Sequence, residues 1–186
     1  PEDQIFSEED ITDGLYKGHV RYDDGAGSWY LQLDDGEKKY VNLYIGVDPA
    51  STLGSRNDYS VIMVTAVTVD FDYYVIDYWR KRVLPMDCAD EIFKYVERYT
   101  PVKRVNIETI AYQEMLRDYV QKRSKKEGIF IPGIEMGIKG YGNQKKKDRL
   151  FEGLQPKFRQ GAVHLRKDMH EFIGELIDFP KGSHDD

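Results

Sequence analysis

Two runs rich in β-branched and aromatic residues, YSVIMVTAVTV (59–69) and YYVIDYW (73–79), are parted by DFD alone. PMDCADEIFKYVERY (85–99) follows directly. Three residues between two such runs suffice for a tight antiparallel turn but not for a crossover, so the pair predicts a hairpin. In the next segment Ala89, Ile92, Phe93 and Val96 fall at i, i+3, i+4 and i+7, one apolar helix face, with Asp87 as its candidate cap. KRVNIE (103–108) then reads as a further strand. A hairpin followed by a helix and another strand requires an α/β domain with a mixed central sheet.

The remaining segments extend this pattern. HVRY, SWYLQL and KYVNLYIGV alternate with DDGAG and DDG, and Asp-Gly between alternating runs signals a hairpin turn. They predict a β-hairpin or meander extension over 16–40 that leads into a first core strand, YIGV (44–47). Residues 1–15 read as an acidic linker or arm with Ile5, Phe6 and Ile11 as docking points. Further on, Tyr112, Met115, Leu116, Tyr119 and Val120 make a second helical stripe. IFIPGIEM reads as an edge strand, because Pro132 has no N–H to give a ladder. A basic helix carries Leu150, Leu154 and Phe158, weakened or bent by Gly153 and Pro156. AVHLR (162–166) is a short strand, and Met169, Phe172, Ile173, Leu176 and Ile177 stripe a last helix. The expected organisation is a single domain over 16–186 with helices on both faces of the sheet.

Composition removes several classes. With 186 residues, 40% of them apolar, the chain can bury one sizeable core. Cys88 is the only cysteine, so no internal disulfide forms. The longest apolar run, VIMVTAVTV, is too short to span a bilayer, and the first residues are acidic where a signal peptide is basic. The reading is a soluble intracellular protein with no membrane partner. The net charge of −6 is uneven: residues 1–48 hold 12 acids and 4 bases, leaving 21 acids and 23 bases for residues 49–186. Much of the positive charge lies in KRSKK (122–126) and KGYGNQKKKDR (139–149), and screening confines each patch's field to about 8–10 Å. Trp29 with Tyr30 and Tyr78 with Trp79 read as core packing rather than base stacking.

Asp48 stands directly after YIGV, and Glu108 directly after VNI. Ligands of open α/β sheets bind beyond the carboxyl ends of the strands, so acids at two such ends converge when the strands are neighbours. The ordinary alternative is a turn or cap, which Asp48 before Pro49 also fits. Asp185 and Asp186, after His184, make a third acidic point, with a solvated tail as the plain alternative. Carboxylates gathered together repel one another unless a cation neutralises them. Their hard oxygens suit Mg²⁺ or Mn²⁺, and two such ions about 3.5–4 Å apart can cleave a phosphodiester.

The ordered set IGVDPAS, DYSVI, VNIETIAYQE, KKKDRLFEGLQPKFRQGAV and FPKGSHDD resembles the C-terminal nuclease domain of the large terminase subunit of tailed bacteriophages, over roughly residues 40–186. The resemblance implies an RNase H-like fold and a metal-dependent endonuclease that cuts concatemeric double-stranded DNA. By position, Asp48 would bridge two Mg²⁺ or Mn²⁺ ions, Glu108 would bind one, and Asp185 or Asp186 would close the site. Asp58 matches an auxiliary acid, and His184 a proton carrier or outer hydrogen-bond donor. HDD would open the final helix of the family, where this sequence stops. The resemblance also implies a preceding ATPase domain in the full protein, portal and small terminase subunit as partners, and the host cell cytoplasm as location.

Lys145, Lys146, Lys147 and Arg149, with Lys139 upstream, are the candidate DNA contacts. On a helix, positions 145 and 149 share a face while 146 and 147 fan away. Lys122, Arg123, Lys125 and Lys126 end a predicted helix, where they simply complement its dipole. A phosphate-binding GxxxxGK[ST] loop is missing: Gly137 and Gly142 are followed by Asn143 and Gln144. Two alternatives stay open. One is another RNase H-like DNA enzyme of the transposase or resolvase type; the other is a non-catalytic nucleotide-binding or docking module in which IGVDPAST imitates a phosphate loop.

Overall fold

The computed structural model describes residues 5–50, 59–109, 113–134, 138–139 and 146–179. In chain order these form α1 (Glu8–Asp13), β1 (Leu15–Tyr16), β2 (Gly18–Asp23), β3 (Ser28–Leu33), β4 (Lys38–Asp48), β5 (Ser60–Thr68) and β6 (Tyr73–Lys81). There follow α2 (Pro85–Tyr99), β7 (Arg104–Thr109), α3 (Gln113–Glu127), β8 (Ile138–Lys139), α4 (Lys146–Arg149), a π-helical turn (Leu150–Leu154), α5 (Gln155–Arg159), β9 (Val163–Arg166) and α6 (His170–Asp178). The strands pair in the order β1-β9-β6-β5-β4-β3-β2, with β7 on β4 and β8 on β7. The chain divides into two compact units, one of residues 1–41, 66–76 and 143–185, the other of 42–65 and 77–142. Among the described residues no helix is long and apolar enough to cross a membrane.

In the first unit, the Asp-Gly turns give the expected meander: β2, β3 and the start of β4 pair antiparallel, with Val20 against Leu31 and Tyr30 against Tyr40. The acidic N-terminal segment forms α1, because Ser7 caps it by accepting the Asp10 N–H at 3.0 Å and Glu8, Glu9 and Asp10 complement the positive end. Ile5, Phe6 and Ile11 are all buried. Phe6 meets Phe158 edge-on at 5.1 Å between centroids, and buried Gln155 donates Nε2–H to the Ile5 carbonyl at 2.7 Å. Gly14 ends the helix where a Cβ would lie 2.5 Å from the Val163 carbonyl oxygen, so only glycine lets β1 reach β9. The π-helical turn coincides with Gly153, a poor helix former, and Pro156, which has no N–H to give an α ladder; the Gln155 N–H reaches back to the Leu150 carbonyl.

The second unit is built on alternation. Leu43, Ile45 and Val47 of β4 and Val105 and Ile107 of β7 are buried, and the intervening residues point to the opposite face. The two strands are parallel, with Tyr44 against Arg104, Ile45 against Val105, Gly46 against Asn106 and Val47 against Ile107. On α2 the expected stripe of Ala89, Ile92, Phe93 and Val96 is buried, widened by Cys88, Tyr95 and Tyr99.

Several local expectations need correction. Asp87 is not the cap of α2: Leu84 holds that position without a side-chain bond, Pro85 starts the helix, and Asp87 lies within the first turn. Met115 is 67% exposed, so the α3 stripe narrows to buried Leu116 and Val120 with half-buried Tyr119, while Tyr112 lies outside the described residues. Of the expected edge strand over 129–136, residues 129–134 form no strand, with 132–134 a turn, and 135–136 lie outside the described residues. Gly133 has φ +83°, Ile131 and Ile134 anchor the segment in the core, and the Pro132 carbonyl accepts the Val105 N–H at 2.8 Å. Trp29, Tyr30, Tyr78 and Trp79 are half-buried rather than core residues, since their strands are covered incompletely on those faces.

Candidate active site

Val47 and Ile107 are the last register pair of β4 and β7, and one residue further along each strand stand Asp48 and Glu108. Neighbouring strands lie about 4.8 Å apart. Because Val47 and Ile107 turn into the core, alternation sends both carboxylates to the opposite face, at the carboxyl ends of both strands. Asp48 is exposed and Glu108 half-buried. Their neighbours on that face are Gly46 and Asn106. Among the described residues a Cβ at Gly46 would meet nothing within 4 Å, and Gly46 itself is exposed. Two carboxylates on adjacent strands together attract a cation placed between them.

Ser60, at the start of β5, ties down the backbone just past Asp48. It is fully buried in line with Ile62 and Val64, and its Oγ accepts the Ala50 N–H at 3.0 Å. Cys88 of α2 lies against the same point. Burial pushes its thiol up to about 11; the Ser60 hydroxyl acts in the opposite direction, and the negative charges of Asp48 and Glu91 add to the rise. At neutral pH Cys88 is therefore a neutral, packed thiol. Beside Ser60, Tyr59 carries two guanidiniums on its ring: the Arg80 Cζ at 3.8 Å from the centroid and the Arg82 Cζ at 4.2 Å.

Asp58, His184, Asp185, Asp186 and Lys145 lie outside the described residues. Lys139 is placed in β8, which pairs with β7 through Glu108 against Ile138 and Thr109 against Lys139. Lys146 and Lys147 lie in α4, and half-buried Arg149 ends it. Among the described residues no group of three or more His, Cys, Asp or Glu side chains could hold a metal ion. Arg123 is occupied structurally: it pairs with Asp90 and Glu127 and stacks on Phe93 at 4.3 Å, and the two carboxylates hold its pKa above the ordinary value. His164 stacks on Tyr74 at 4.2 Å, and burial lowers its pKa.

Sequence reasoning did not single out Ser60, Tyr59, Arg80 or Arg82. The available signal was the compact triplet RKR (80–82) at the end of a hairpin strand whose partner begins with Tyr59.

Residues 45–186 match the family described as the terminase RNaseH-like domain. Among solved structures, the large terminase nuclease from the thermophilic phage G20c is similar with a TM-score of 0.55 and 16% identity, over 95% of this chain and 81% of that one. The nuclease domain of the P22 large terminase gives 0.51 and 11%, over 73% of this chain and 66% of that one. The human cytomegalovirus terminase nuclease domain gives 0.58 and 8%, over 97% and 88%. At these identities the likeness establishes the fold, a mixed sheet flanked by helices of the RNase H-like kind. Among curated proteins none matches the chain.

Proposed function

The chain belongs to the terminase RNaseH-like domain family, and we propose on that premise that it is the DNA-cutting domain of a viral packaging terminase, a metal-dependent endonuclease that hydrolyses phosphodiester bonds of concatemeric double-stranded DNA. The observation that carries this reading is the placement of Asp48 and Glu108 side by side at the carboxyl ends of parallel β4 and β7. Family membership favours the packaging enzyme over a transposase or resolvase of related fold.

The donor set fits the metal such chemistry uses. The pair is carboxylate only, the described residues leave Gly46 beside it uncovered, and hard oxygen donors select Mg²⁺ or Mn²⁺ over softer ions. In this reading Asp48 would help hold both ions and Glu108 would hold one of them. Asp185 or Asp186 closes the site, Asp58 assists, and His184 carries a proton or donates a hydrogen bond. Bound divalent ions supply an activated water and neutralise charge on the phosphoryl oxygens. The chain's own residues do the positioning. The Ser60 hydroxyl holds the backbone just past Asp48, and the buried neighbours Val47 and Ile107 lock both carboxylates onto one face.

Lys139, Lys145, Lys146, Lys147 and Arg149 contact the phosphate backbone, which gives binding with strong salt dependence and weak base readout. The ATPase domain, portal and small terminase subunit are the expected partners, and the host cytoplasm, transiently at the procapsid, the place of action. Incubation with supercoiled plasmid and Mn²⁺ or Mg²⁺ tests the reading. Cutting is expected, with a loss of about 100-fold or more in Asp48→Ala and Glu108→Ala; unchanged cutting in both variants excludes the site.

A further inference from the structure

The turn between β5 and β6 is built against local preference. Buried Thr68 holds it three times: its N–H donates to the Asp72 carbonyl at 3.0 Å, its carbonyl accepts the Phe71 N–H at 3.1 Å, and its Oγ1 accepts the Asp72 N–H at 3.0 Å. Phe71 stands at φ +64°, and among the described residues it is the one residue other than glycine with a positive φ. Three-residue hairpin loops of this shape favour glycine at that position, since a Cβ is strained there. Phe71 is nonetheless 69% exposed and Val69 86%, so the strained backbone gains little burial in return. Asp70 between them is exposed and, among the described residues, has no basic partner. The tip is a rigid apolar knob that carries a negative charge.

The end of α3 has the opposite sign. Gly128 at φ +69° closes the helix, and the Ile129 N–H returns to the Ser124 carbonyl at 3.1 Å. The apolar contact that accompanies such an ending falls to half-buried Ile129, which leaves Phe130 82% exposed. Lys122, Lys125 and Lys126 are exposed and, among the described residues, have no carboxylate partners, while Arg123 takes both Asp90 and Glu127. The helix dipole favours cations in the last turn, which accounts for Lys125 and Lys126. It accounts neither for Phe130 nor for Lys122, whose i, i+4 pairing with Lys126 sets like charges together. Each patch thus exposes an aromatic ring together with the charge that the other patch attracts.

We propose that copies of this chain associate head to tail: the tip at 69–71 of one copy seats on the α3 end of the next, with Phe71 against Phe130 and Asp70 among Lys122, Lys125 and Lys126. The three bonds to Thr68 fix the tip before contact, which lowers the entropy that docking must overcome. The contact joins two different surfaces, so a copy engaged by its tip keeps its α3 end free for another. Neither patch includes Asp48 or Glu108, so association stands or falls apart from cutting.

Sedimentation velocity of the 186-residue chain in EDTA, from about 10 µM to about 1 mM and at low and high salt, tests this. At low salt the mean mass is expected to rise above 21.7 kDa with concentration, and high salt should reverse part of the rise by screening the Asp70 contact. Phe71→Gly should abolish the rise while keeping or raising the urea midpoint, because glycine relieves the positive φ; lost contact is thereby separated from lost fold. Lys125→Glu with Lys126→Glu should abolish the rise as well, and Phe130→Ser replaces that pair if it unfolds. Mixed in equal amounts, the tip variant and the α3 variant should form a complex of two copies and nothing larger, since one supplies the α3 end and the other the tip. A parent chain that stays monomeric at every concentration overturns the proposal and leaves the two patches to other partners. A mass rise that survives either variant, or a mixture in which the two variants do not associate, also overturns it.

Discussion

Asp48 and Glu108 occupy equivalent positions on parallel neighbours, each one residue past the buried pair Val47 and Ile107. Their charges share one open face of the sheet. Neutralising both should therefore remove the response to metal. For the unaltered chain, Mn²⁺ at about 100 times its dissociation constant should add about 2.7 kcal/mol of stability. Asp48→Asn with Glu108→Gln should remain folded without metal, and should gain nothing from Mn²⁺. Thermal melts with and without Mn²⁺ check this.

The Ser60 hydroxyl is the partner of a backbone donor two residues beyond Asp48. Ser60→Ala leaves the Ala50 N–H without that acceptor, at an expected cost of about 1–3 kcal/mol in urea unfolding. Because the lost bond anchors the backbone just past Asp48, the variant should also need more Mn²⁺ for half-maximal cutting. Ser60→Thr, which retains the hydroxyl, should restore much of that requirement.

The Cys88 thiol, pushed up to about 11 by burial first and by the Asp48 and Glu91 charges against the Ser60 hydrogen bond, should resist thiol reagents at pH 8 until the chain unfolds. Its linkage sign follows from the raised pKa. Below about pH 9 both folded and unfolded thiols are protonated and the contribution is constant; from about 9 to 11 only the unfolded thiol ionises, and up to about 2–3 kcal/mol of stability is lost. Tyr16, Tyr95 and Tyr99 are raised as well, so the alkaline loss is a sum. Comparing urea unfolding of Cys88→Ala with the parent at pH 8 and pH 10.5 isolates the thiol: the gap between them should narrow at the higher pH.

Phe6, buried against Phe158, makes the N-terminal segment part of the fold's cohesion. Phe6→Ala should cost about 3–5 kcal/mol, read as a lower urea midpoint.

The strands and the acid-bearing strand ends were legible because alternation is local: Leu43, Ile45 and Val47 face the core, which fixes where Asp48 must point. That β4 and β7 are neighbours is a tertiary fact, and the sequence offered only the condition under which Glu108 would join Asp48. Local signals failed where a longer-range partner decided the outcome. Pro132 suggested an edge strand, but Gly133 at φ +83° and the buried Ile131 and Ile134 make that segment a turn. Asp87 suggested a cap, but Pro85 already starts the helix. Neither Ser60 nor RKR carries a local sign of its contacts, which arise only when the hairpin brings Arg80 and Arg82 to Tyr59.

Anomalous diffraction from crystals of the chain soaked in Mn²⁺ addresses the central claim without assuming any mechanism. The expected result is manganese density within about 2.0–2.6 Å of carboxylate oxygens of both Asp48 and Glu108, the distance range of hard divalent ions on oxygen. Manganese bound elsewhere, with neither of these two carboxylates among its ligands, would contradict it.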